Sequence, residues 1–327
     1  MHLRLEAIPE AFPIAGRFVI SRGAKTEAQV IRVTLQHGHN AGHGECVPYG
    51  RYGETIQSVL EQIEAVRPTI EAGCDRADLK SFLPAGAARN AIDCALWDLA
   101  AKISGTPAFQ TAGTGRLNSV VTAYTLSLGT PEEMGSAARA ASHRPLLKIK
   151  VGGAGDLERL AAVRAGAPYS AIIVDANEGW TDENIELNME WAAELGVVLI
   201  EQPLAADKDS ILARIAHPVS ICADESVHKA DDLAALADRY DAVNIKLDKS
   251  GGLTEALEMQ RIADGLGLDV MIGCMVGTSL AMAPALILAQ TAKFVDLDGP
   301  LLLARDRVPG LRYDGSNVFP PLPELWG

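Results

Sequence analysis

The sequence lacks the cysteine spacing of a disulfide framework or a zinc ribbon. Its 327 residues include five cysteines, an odd number, which are widely separated and contain no Cys-x-x-Cys pair. Small secreted domains and zinc ribbons depend on closely spaced cysteines that can be cross-linked or bind a metal. This cysteine usage fits a reducing compartment, so we expect a cytoplasmic location.

Basic charge is also scarce. The chain carries 29 lysine and arginine residues against 42 aspartate and glutamate residues, which gives a formal net charge of −13. A negative field repels the phosphates of nucleic acids and anionic membrane surfaces. We therefore expect no nucleic-acid or membrane partner and a small molecule or a cation as ligand, and we leave a homo-oligomer open.

Uninterrupted apolar runs are missing as well. The N-terminal decapeptide has acidic residues and a proline where a signal peptide needs a continuous apolar core, so we expect no export. Residues 270–292 carry no charged side chain and are long enough to cross a bilayer. Gly273, Gly277 and Pro284 interrupt them. This segment predicts a buried strand, a loop and a core-facing helix.

The sequence does contain a repeated pattern of short aliphatic runs that end in a charged residue. The runs LLKIK, AIIVD, VVLIE, VSICAD and AVNIK end at Lys150, Asp175, Glu201, Asp224 and Lys246. They recur at intervals of 22 to 26 residues, and each interval contains a helix-like segment. Alternating strands and helices indicate a parallel sheet closed into a barrel, with chemistry at the C-terminal ends of its strands.

The predicted fold class is α/β, with a (β/α)7β TIM-like barrel and an α+β N-terminal capping domain that the C-terminal tail completes. We expect residues 1–117 to form the capping domain with the substrate-specificity loops and residues 118–300 to form the catalytic, metal-binding barrel. The tail, 301–327, is rich in proline and is expected to pack on the capping domain without regular structure. The first barrel strand is predicted at residues 120–125.

The charged strand ends predict a metal site between two lysines. Strands two and six lie opposite each other in an eight-stranded barrel, so Lys150 and Lys246 should face each other across its mouth. Asp175, Glu201 and Asp224 end the three intervening strands and should converge. Three such carboxylates repel one another unless a cation binds them, and oxygen ligands favour Mg²⁺ or Mn²⁺. Capping of helices or pairing with arginines is the alternative.

This arrangement suits proton transfer beside a carboxylate. A divalent cation that binds a substrate carboxylate stabilises the enediolate formed when the adjacent carbon loses its proton. Lysine can be the base where nearby positive charge lowers its pKa, and Lys148 lies two residues from Lys150 on the same strand face. With a second lysine, Lys246, on the other face, the predicted outcome is racemisation or epimerisation.

These residues resemble the enolase superfamily, whose lysine bases and magnesium ions are a known scheme. The Lys-x-Lys motif on strand two and the lysine on strand six are similar to its muconate-lactonizing branch. The mandelate racemase branch would have a histidine near the end of strand seven, where this chain has Cys274. The resemblance to bacterial dipeptide epimerases runs nearly end to end through PYGRYGET, LPAGAARNAIDCALWDLA, DANEGW, ICADES, VNIKLDKSGGLTEALE and VDLDGP.

The resemblance implies an isomerase that inverts the α-carbon of the C-terminal residue in L-Ala-D/L-Glu-type dipeptides, as in cell-wall peptide metabolism. It implies one Mg²⁺ per active site, replaceable by Mn²⁺, held by Asp175, Glu201 and Asp224. It also implies Lys150 and Lys246 as the acid/base pair.

The substrate's two ends are assigned to different elements. Asp296 and Asp298 match the family's Asp-x-Asp, which binds the dipeptide ammonium, and strand eight lies opposite the predicted metal. Arg22, in FVISRGAK, is predicted to bind the carboxylate of the substrate side chain, with Lys25 as a competitor. Further predicted substrate contacts are Lys148, Thr125 and Asp248.

Three alternatives remain open. A muconate cycloisomerase, an o-succinylbenzoate synthase or an N-acylamino acid racemase would use the same metal and lysines. A non-catalytic ligand-binding barrel would have no need of two opposed bases. A phosphate-binding barrel is suggested by the glycine pairs 152–153 and 251–252, but these follow strands two and six, and such sites commonly follow strands seven and eight.

Overall fold

The structure, a computed structural model, describes residues 3–20 and 23–327. Its N-terminal part is an antiparallel sheet with two long helices packed on it. The sheet has the order β1–β2–β3, and residues Val30, Ile31, Val33 and Leu35 of its central strand are fully buried. The elements are β1 (Arg4–Ile20), β2 (Gly23–His37), β3 (Asn40–Cys46), α1 (Ile56–Glu71) and α2 (Ala87–Ser104), with 3₁₀ helices at Gly50–Tyr52 and Arg76–Ser81.

Helix α2 lies directly against β3 because two glycines leave room for its backbone. A Cβ atom at Gly42 would lie 2.3 Å from the carbonyl oxygen of Ala95, and one at Gly44 would lie 2.1 Å from that of Ala91. No side chain fits at such a distance. The HGHNAG segment is therefore both a turn and a packing surface, and α2 is buried over most of its circumference.

Eight parallel strands form a curled sheet in which hydrogen-bonded neighbours follow chain order from β5 to β12. The two edges meet where the N–H of Ala123 donates to the carbonyl of Val295 (2.8 Å), which confirms the predicted TIM-like barrel. The strands are β5 (Tyr124–Leu126), β6 (Leu146–Lys150), β7 (Ala171–Asp175), β8 (Val197–Glu201), β9 (Ile221–Ala223), β10 (Ala242–Ile245), β11 (Asp269–Ile272) and β12 (Phe294–Val295).

Helices cover the outside of the barrel, as a parallel sheet with two buried faces requires. Strand β7 shows both faces, since Ile173 packs inside the barrel with Leu199 and Met271, whereas Ile172 and Val174 pack under the helices. The helices are α3 (Ala108–Thr111), α4 (Pro131–Ala140), α5 (Asp156–Gly166), α6 (Ile185–Glu194), α7 (Leu247–Ser250), α8 (Leu253–Leu266) and α9 (Ser279–Leu288), with 3₁₀ helices at Asp209–Arg214, Ala230–Ala235 and Gly299–Leu302.

The region predicted as the first barrel strand is divided between two sheets. Val120–Val121 form β4, which pairs with the tail strand β14 (Asn317–Val318), and β14 pairs in turn with β13 (Tyr313–Asp314). The N–H of Thr122 donates to Ser316, and the barrel strand begins at Tyr124. The expectation of a tail without regular structure was therefore wrong.

The tail contacts both the capping sheet and helix α2. Arg307 forms ion pairs with Glu10 (2.5 Å) and with the buried Glu45 (2.6 Å). The indole N–H of Trp326 donates to the carbonyl of Cys94 (3.0 Å). The run from 270 to 292 forms a strand, a loop and a helix as predicted. Across the described residues, every helix is too short or too polar to cross a bilayer.

Candidate active site

A cavity of about 330 Å³ lies between the C-terminal ends of the barrel strands and the loops of the capping sheet. This volume is in the range of small-molecule sites. The capping side contributes Phe18, Ile20, Lys25 and the segment 49–52. The barrel side contributes Thr125, Lys148, Lys150, Asn177, Asp224, Glu225, Lys246, Cys274, Asp296 and Asp298.

Lys148 and Lys150 extend from β6 into one cluster of carboxylates. The ammonium of Lys150 contacts Asp175 Oδ2 at 2.5 Å. That of Lys148 lies 2.6 Å from Glu201 Oε2, 2.8 Å from Asp296 Oδ2 and 3.1 Å from Asp175 Oδ2. Burial lowers the pKa of Lys148, but Asp296 and Glu201 raise it further, so the net pKa is well above its usual value. Lys148 therefore carries a positive charge in the wall of the cavity.

The three predicted metal ligands lie at neighbouring strand ends. The sheet register pairs Lys150 with Asp175 and Asp175 with Glu201, and Asp224 follows β9 directly. Their pKa values diverge. Burial raises that of Asp175, yet Lys150 and Lys148 bring it down to about 2. Burial and the neighbouring Asp175 raise the pKa of Glu201 to about 7.

Lys246 and Lys249 hold Asp224 from two sides. The ammonium of Lys246 lies 2.6 Å from Asp224 Oδ2, and that of Lys249 lies 2.5 Å from Oδ1. Burial raises the pKa of Asp224, but these two lysines lower it well below its usual range. Burial lowers the pKa of Lys246, while Asp224 and Glu201 raise it, and the net pKa is well above its usual value.

The acidic residues after β12 lie in the same cavity. Asp296 accepts a hydrogen bond from Lys148 on Oδ2, while its buried Oδ1 has no hydrogen-bond partner. Asp298 Oδ2 accepts from the backbone N–H of Thr125 at 2.6 Å. Burial and the neighbouring Asp296 raise the pKa of Asp298 to about 7. This end of the cavity can therefore accept a hydrogen-bond donor or a cation.

The carboxylates fit a magnesium ion chemically, although lysines now contact them. Asp175, Glu201 and Asp224 are at most 2% exposed and offer oxygen ligands alone. Glu201 Oε2 has no aligned hydrogen bond, despite the nearby Lys148 ammonium. Within the described parts of the chain, no three acidic, histidine or cysteine side chains form a ready-made metal cluster. A cation shared by the three would replace their ammonium contacts.

Comparison with known families identifies this architecture. Residues 4–113 match the family described as "Mandelate racemase / muconate lactonizing enzyme, N-terminal domain", and residues 133–304 match "Enolase C-terminal domain-like". The chain belongs to the mandelate racemase and muconate lactonizing enzyme family of the enolase superfamily.

Two relatives in this family cover most of the chain. An L-Ala-D/L-Glu epimerase of Escherichia coli K12 is 45% identical over 316 residues, which is 96% of this chain and 98% of the relative. An N-acetyl-D-glutamate racemase of a Pseudoalteromonas species is 46% identical over 294 residues, which is 88% of this chain and 91% of the relative.

Solved structures of proteins from the same family are similar to this chain over nearly its whole length. An enolase family member from Agrobacterium tumefaciens with homology to dipeptide epimerases has a TM-score of 0.98 and 57% identity, and covers 99% of this chain and 100% of that one. Its structure contains sodium and L-Ala-L-Glu with an ordered loop. A dipeptide epimerase from Enterococcus faecalis, complexed with Mg and L-Leu-L-Tyr, has a TM-score of 0.90 and 28% identity over 98% of each chain.

One predicted substrate contact, Asp248, does not line the cavity, and another, Arg22, cannot be compared with it. Asp248 lies on α7, where its Oδ1 accepts from the N–H of Val47 (2.9 Å) and from Asn90 Nδ2 (2.8 Å). It joins the barrel to the capping part, so we withdraw it as a substrate contact. Arg22 lies outside the described residues. Lys25 lines the cavity, with its ammonium 4.9 Å from the ring centroid of Tyr49.

Capping-loop residues that sequence reasoning did not single out also border the cavity. Arg51 forms two hydrogen bonds with Glu178 (2.8 and 2.9 Å), which follows the Asp175 strand. Tyr52 packs edge-on against His228, beyond the Asp224 strand, at a ring distance of 4.6 Å. The PYGRYGET block contains both residues, but its composition alone does not show which barrel loops they meet.

Proposed function

We propose that this chain is a dipeptide epimerase that inverts the α-carbon of the C-terminal residue of L-Ala-D/L-Glu-type dipeptides. The observation that supports it best is that Lys150 and Lys246, from strands on opposite sides of the barrel, line one cavity with the acidic pair Asp296 and Asp298. Two bases and an acidic pocket suit a substrate with a carboxylate at one end and an ammonium at the other.

In this proposal Lys150 and Lys246 each serve one face of the α-carbon. One lysine removes the proton while the other, still protonated, returns one to the opposite face. Each ammonium already contacts a buried carboxylate, Asp175 for Lys150 and Asp224 for Lys246. A cation bound by these carboxylates would offset the charge of Asp224 and Glu201 that raises the pKa of Lys246, and so would allow the lysine that acts as base to be neutral. The order of the roles reverses with the direction of the reaction.

Asp175, Glu201 and Asp224 are the proposed ligands of one Mg²⁺ ion. Bound there, Mg²⁺ would supply the positive charge that offsets the negative charge developing on the substrate carboxylate as the α-proton leaves. Lys148, buried beside Glu201, adds a fixed positive charge to the same region. Mn²⁺, which accepts the same oxygen ligands, is a proposed substitute.

The remaining contacts concern the other parts of the dipeptide. Asp296 and Asp298 would bind the N-terminal ammonium, next to Thr125. Arg22 remains the predicted partner of the substrate side-chain carboxylate, and Lys25 lies on the cavity wall as a second cation. A cytoplasmic location, the lack of nucleic-acid and membrane partners and the domain limits remain predictions from the sequence.

N-acylglutamate racemisation is the second candidate function. Asp296 is already paired with Lys148, and Asp298, with its pKa raised to about 7 by burial and by Asp296, can be protonated near neutral pH. A protonated Asp298 would donate a hydrogen bond to an acyl carbonyl. The 46% identical N-acetyl-D-glutamate racemase supports keeping this candidate.

A substrate panel in heavy water with Mg²⁺ tests the proposed function. We expect deuterium incorporation and inversion for L-Ala-L-Glu and L-Ala-D-Glu, with a kcat/KM above that for N-acetyl-D-glutamate. Proton NMR resolves the epimers and the exchanged position. A higher kcat/KM for N-acetyl-D-glutamate would favour the second candidate. If no member of the panel exchanges its α-proton, a non-catalytic barrel becomes the better interpretation.

The Asp298→Asn substitution tests the ammonium site. It keeps the side chain's shape but removes its charge, so we expect kcat/KM for L-Ala-L-Glu to fall roughly 30- to 160-fold, equivalent to about 2 to 3 kcal/mol of lost transition-state binding. The parent enzyme should show a KM that increases as pH falls through about 7, because protonated Asp298 no longer attracts the ammonium. Steady-state kinetics at several pH values measure both effects.

N-acetyl-L-Ala-L-Glu is the matched control for that substitution. It lacks the ammonium, so the parent should turn it over poorly and Asp298→Asn should change its kcat/KM little. Equal parent rates for the free and acetylated dipeptides would contradict the assignment of Asp298.

A further inference from the structure

Gln202 stands out because its backbone has an unfavourable conformation beside the proposed metal ligands. It follows Glu201 directly and is fully buried. Its φ of 35° lies in the left-handed region of backbone conformation, which residues other than glycine rarely adopt. Such a conformation persists when surrounding contacts hold it in place.

The side-chain amide of Gln202 joins the ends of β8 and β9. Its Oε1 accepts hydrogen bonds from the backbone N–H groups of Asp224 (2.8 Å) and Ser226 (3.1 Å). Its Nε2 donates to the carbonyl of Leu204 (2.8 Å) and lies within hydrogen-bond distance of Ser226 Oγ (2.8 Å) and Tyr240 Oη (3.0 Å). Two N–H donors on one oxygen fix the amide's orientation, since a flipped amide would place donor against donor.

Asp224 is consequently fixed at three points. Gln202 holds its N–H, while Lys249 donates to its carbonyl and to Oδ1, both at 2.5 Å. The remaining carboxylate oxygen, Oδ2, points toward Lys246. The position of this oxygen relative to Glu201 therefore depends on the short path Glu201–Gln202–Asp224.

A second layer of polar groups packs behind the Gln202 amide. The hydroxyls of Ser226 and Tyr240 each donate to Asp209 Oδ2 at 2.7 Å, and Arg239 pairs with the other oxygen of Asp209. All these groups lie behind the strand ends, outside the cavity lining.

We propose that Gln202 is a positioning residue that sets the spacing and orientation of Glu201 and Asp224, and through them the affinity of the site for its divalent cation. This inference rests on the proposed function, because it takes those two carboxylates as ligands. Residues that orient metal ligands typically change metal affinity by ~10- to 100-fold when replaced.

The test is Mg²⁺ affinity measured by calorimetry on metal-free full-length protein without substrate, together with the EPR spectrum of bound Mn²⁺. Gln202→Met preserves approximate length but removes both polar atoms, and we expect Mg²⁺ to bind ~10- to 100-fold more weakly. Gln202→Asn keeps an amide but withdraws it from Asp224. Gln202→Asn should also weaken Mg²⁺ binding. It replaces Gln202→Met as the test variant if the methionine protein does not fold.

Tyr240→Phe is the matched control. It removes a hydroxyl from the second layer but leaves both hydrogen bonds on Gln202 Oε1 and the Nε2 contacts with Leu204 and Ser226. Tm should therefore fall while the Mg²⁺ Kd and the Mn²⁺ spectrum remain those of the parent. A folded Gln202→Asn protein with the parent's Kd and spectrum would overturn the proposal. A parent that binds no Mg²⁺ would instead refute the assignment of Glu201 and Asp224 as ligands.

Discussion

Lys150→Ala and Lys246→Ala, made singly, are each expected to abolish interconversion of L-Ala-L-Glu and L-Ala-D-Glu in both directions. Every turnover uses both lysines, one as base and the other as acid. A positioned general acid or base commonly contributes about 10²- to 10⁴-fold to a rate, and inversion requires both. The loss should therefore be at least of that size for each variant, whichever epimer is supplied.

Exchange with solvent should separate the two lysines. In each variant the surviving lysine can still remove and restore a proton on its own face of the α-carbon. Lys150→Ala and Lys246→Ala should therefore incorporate deuterium into opposite epimers, each without inversion. This residual exchange should be slower than in the parent, because losing one ammonium changes the charge that surrounds the other.

Proton NMR of both epimers in heavy water measures exchange and inversion together. Lys293→Ala is a suitable control, because Lys293 is half exposed and paired with Asp269 away from the cavity, so parent rates are expected. If Lys150→Ala and Lys246→Ala exchange the same epimer, or if either epimerises near the parent rate, one of the two lysines only binds the substrate.

The strand-end residues could be predicted because each lies where a buried aliphatic run stops. The regular side-chain alternation of a strand, together with chain-order neighbours in a parallel sheet, suffices to place Lys150, Asp175 and Glu201 side by side. Asp224 and Lys246 each follow their strand by one residue and still point to the same end. A local pattern was therefore enough for these five.

Asp248 was misplaced because strand alternation no longer applies beyond Lys246. The chain turns there into the one-turn helix α7, which directs Asp248 to Val47 and Asn90 instead of the cavity. The same turn brings Lys249 into contact with Asp224, although a lysine four residues past a strand gives no local sign of burial.

Non-local pairing explains the other differences. Val120–Val121 form a strand because the tail segment Asn317–Val318 lies beside them, and nearly two hundred residues separate the partners. Gln202 likewise gains its contacts from Ser226 and Tyr240, which lie in later loops of the chain. A single sequence shows the polarity of such residues but not the partners that give them a role.

Removal of divalent cation is expected to abolish epimerisation, and added Mg²⁺ or Mn²⁺ should restore it. Charge stabilisation by a bound cation is worth several kcal/mol in the transition state, so the loss should be on the order of a thousandfold or more. Asp175→Asn, Glu201→Gln and Asp224→Asn should each cause a comparable loss at low Mg²⁺, because each removes one charged oxygen ligand while preserving side-chain shape.

Asp93→Asn is the control that separates ligand loss from general damage to a buried carboxylate. Asp93 is fully buried on α2 and accepts hydrogen bonds from Thr254, far in sequence from the proposed ligands. This variant should have a lower Tm but the parent's dependence on Mg²⁺. Activity assays across a Mg²⁺ titration, paired with elemental analysis of the protein, make the comparison. Full activity of the parent in excess chelator, with no metal retained, would show that Lys148, Lys150 and Lys246 supply all the positive charge that proton removal needs.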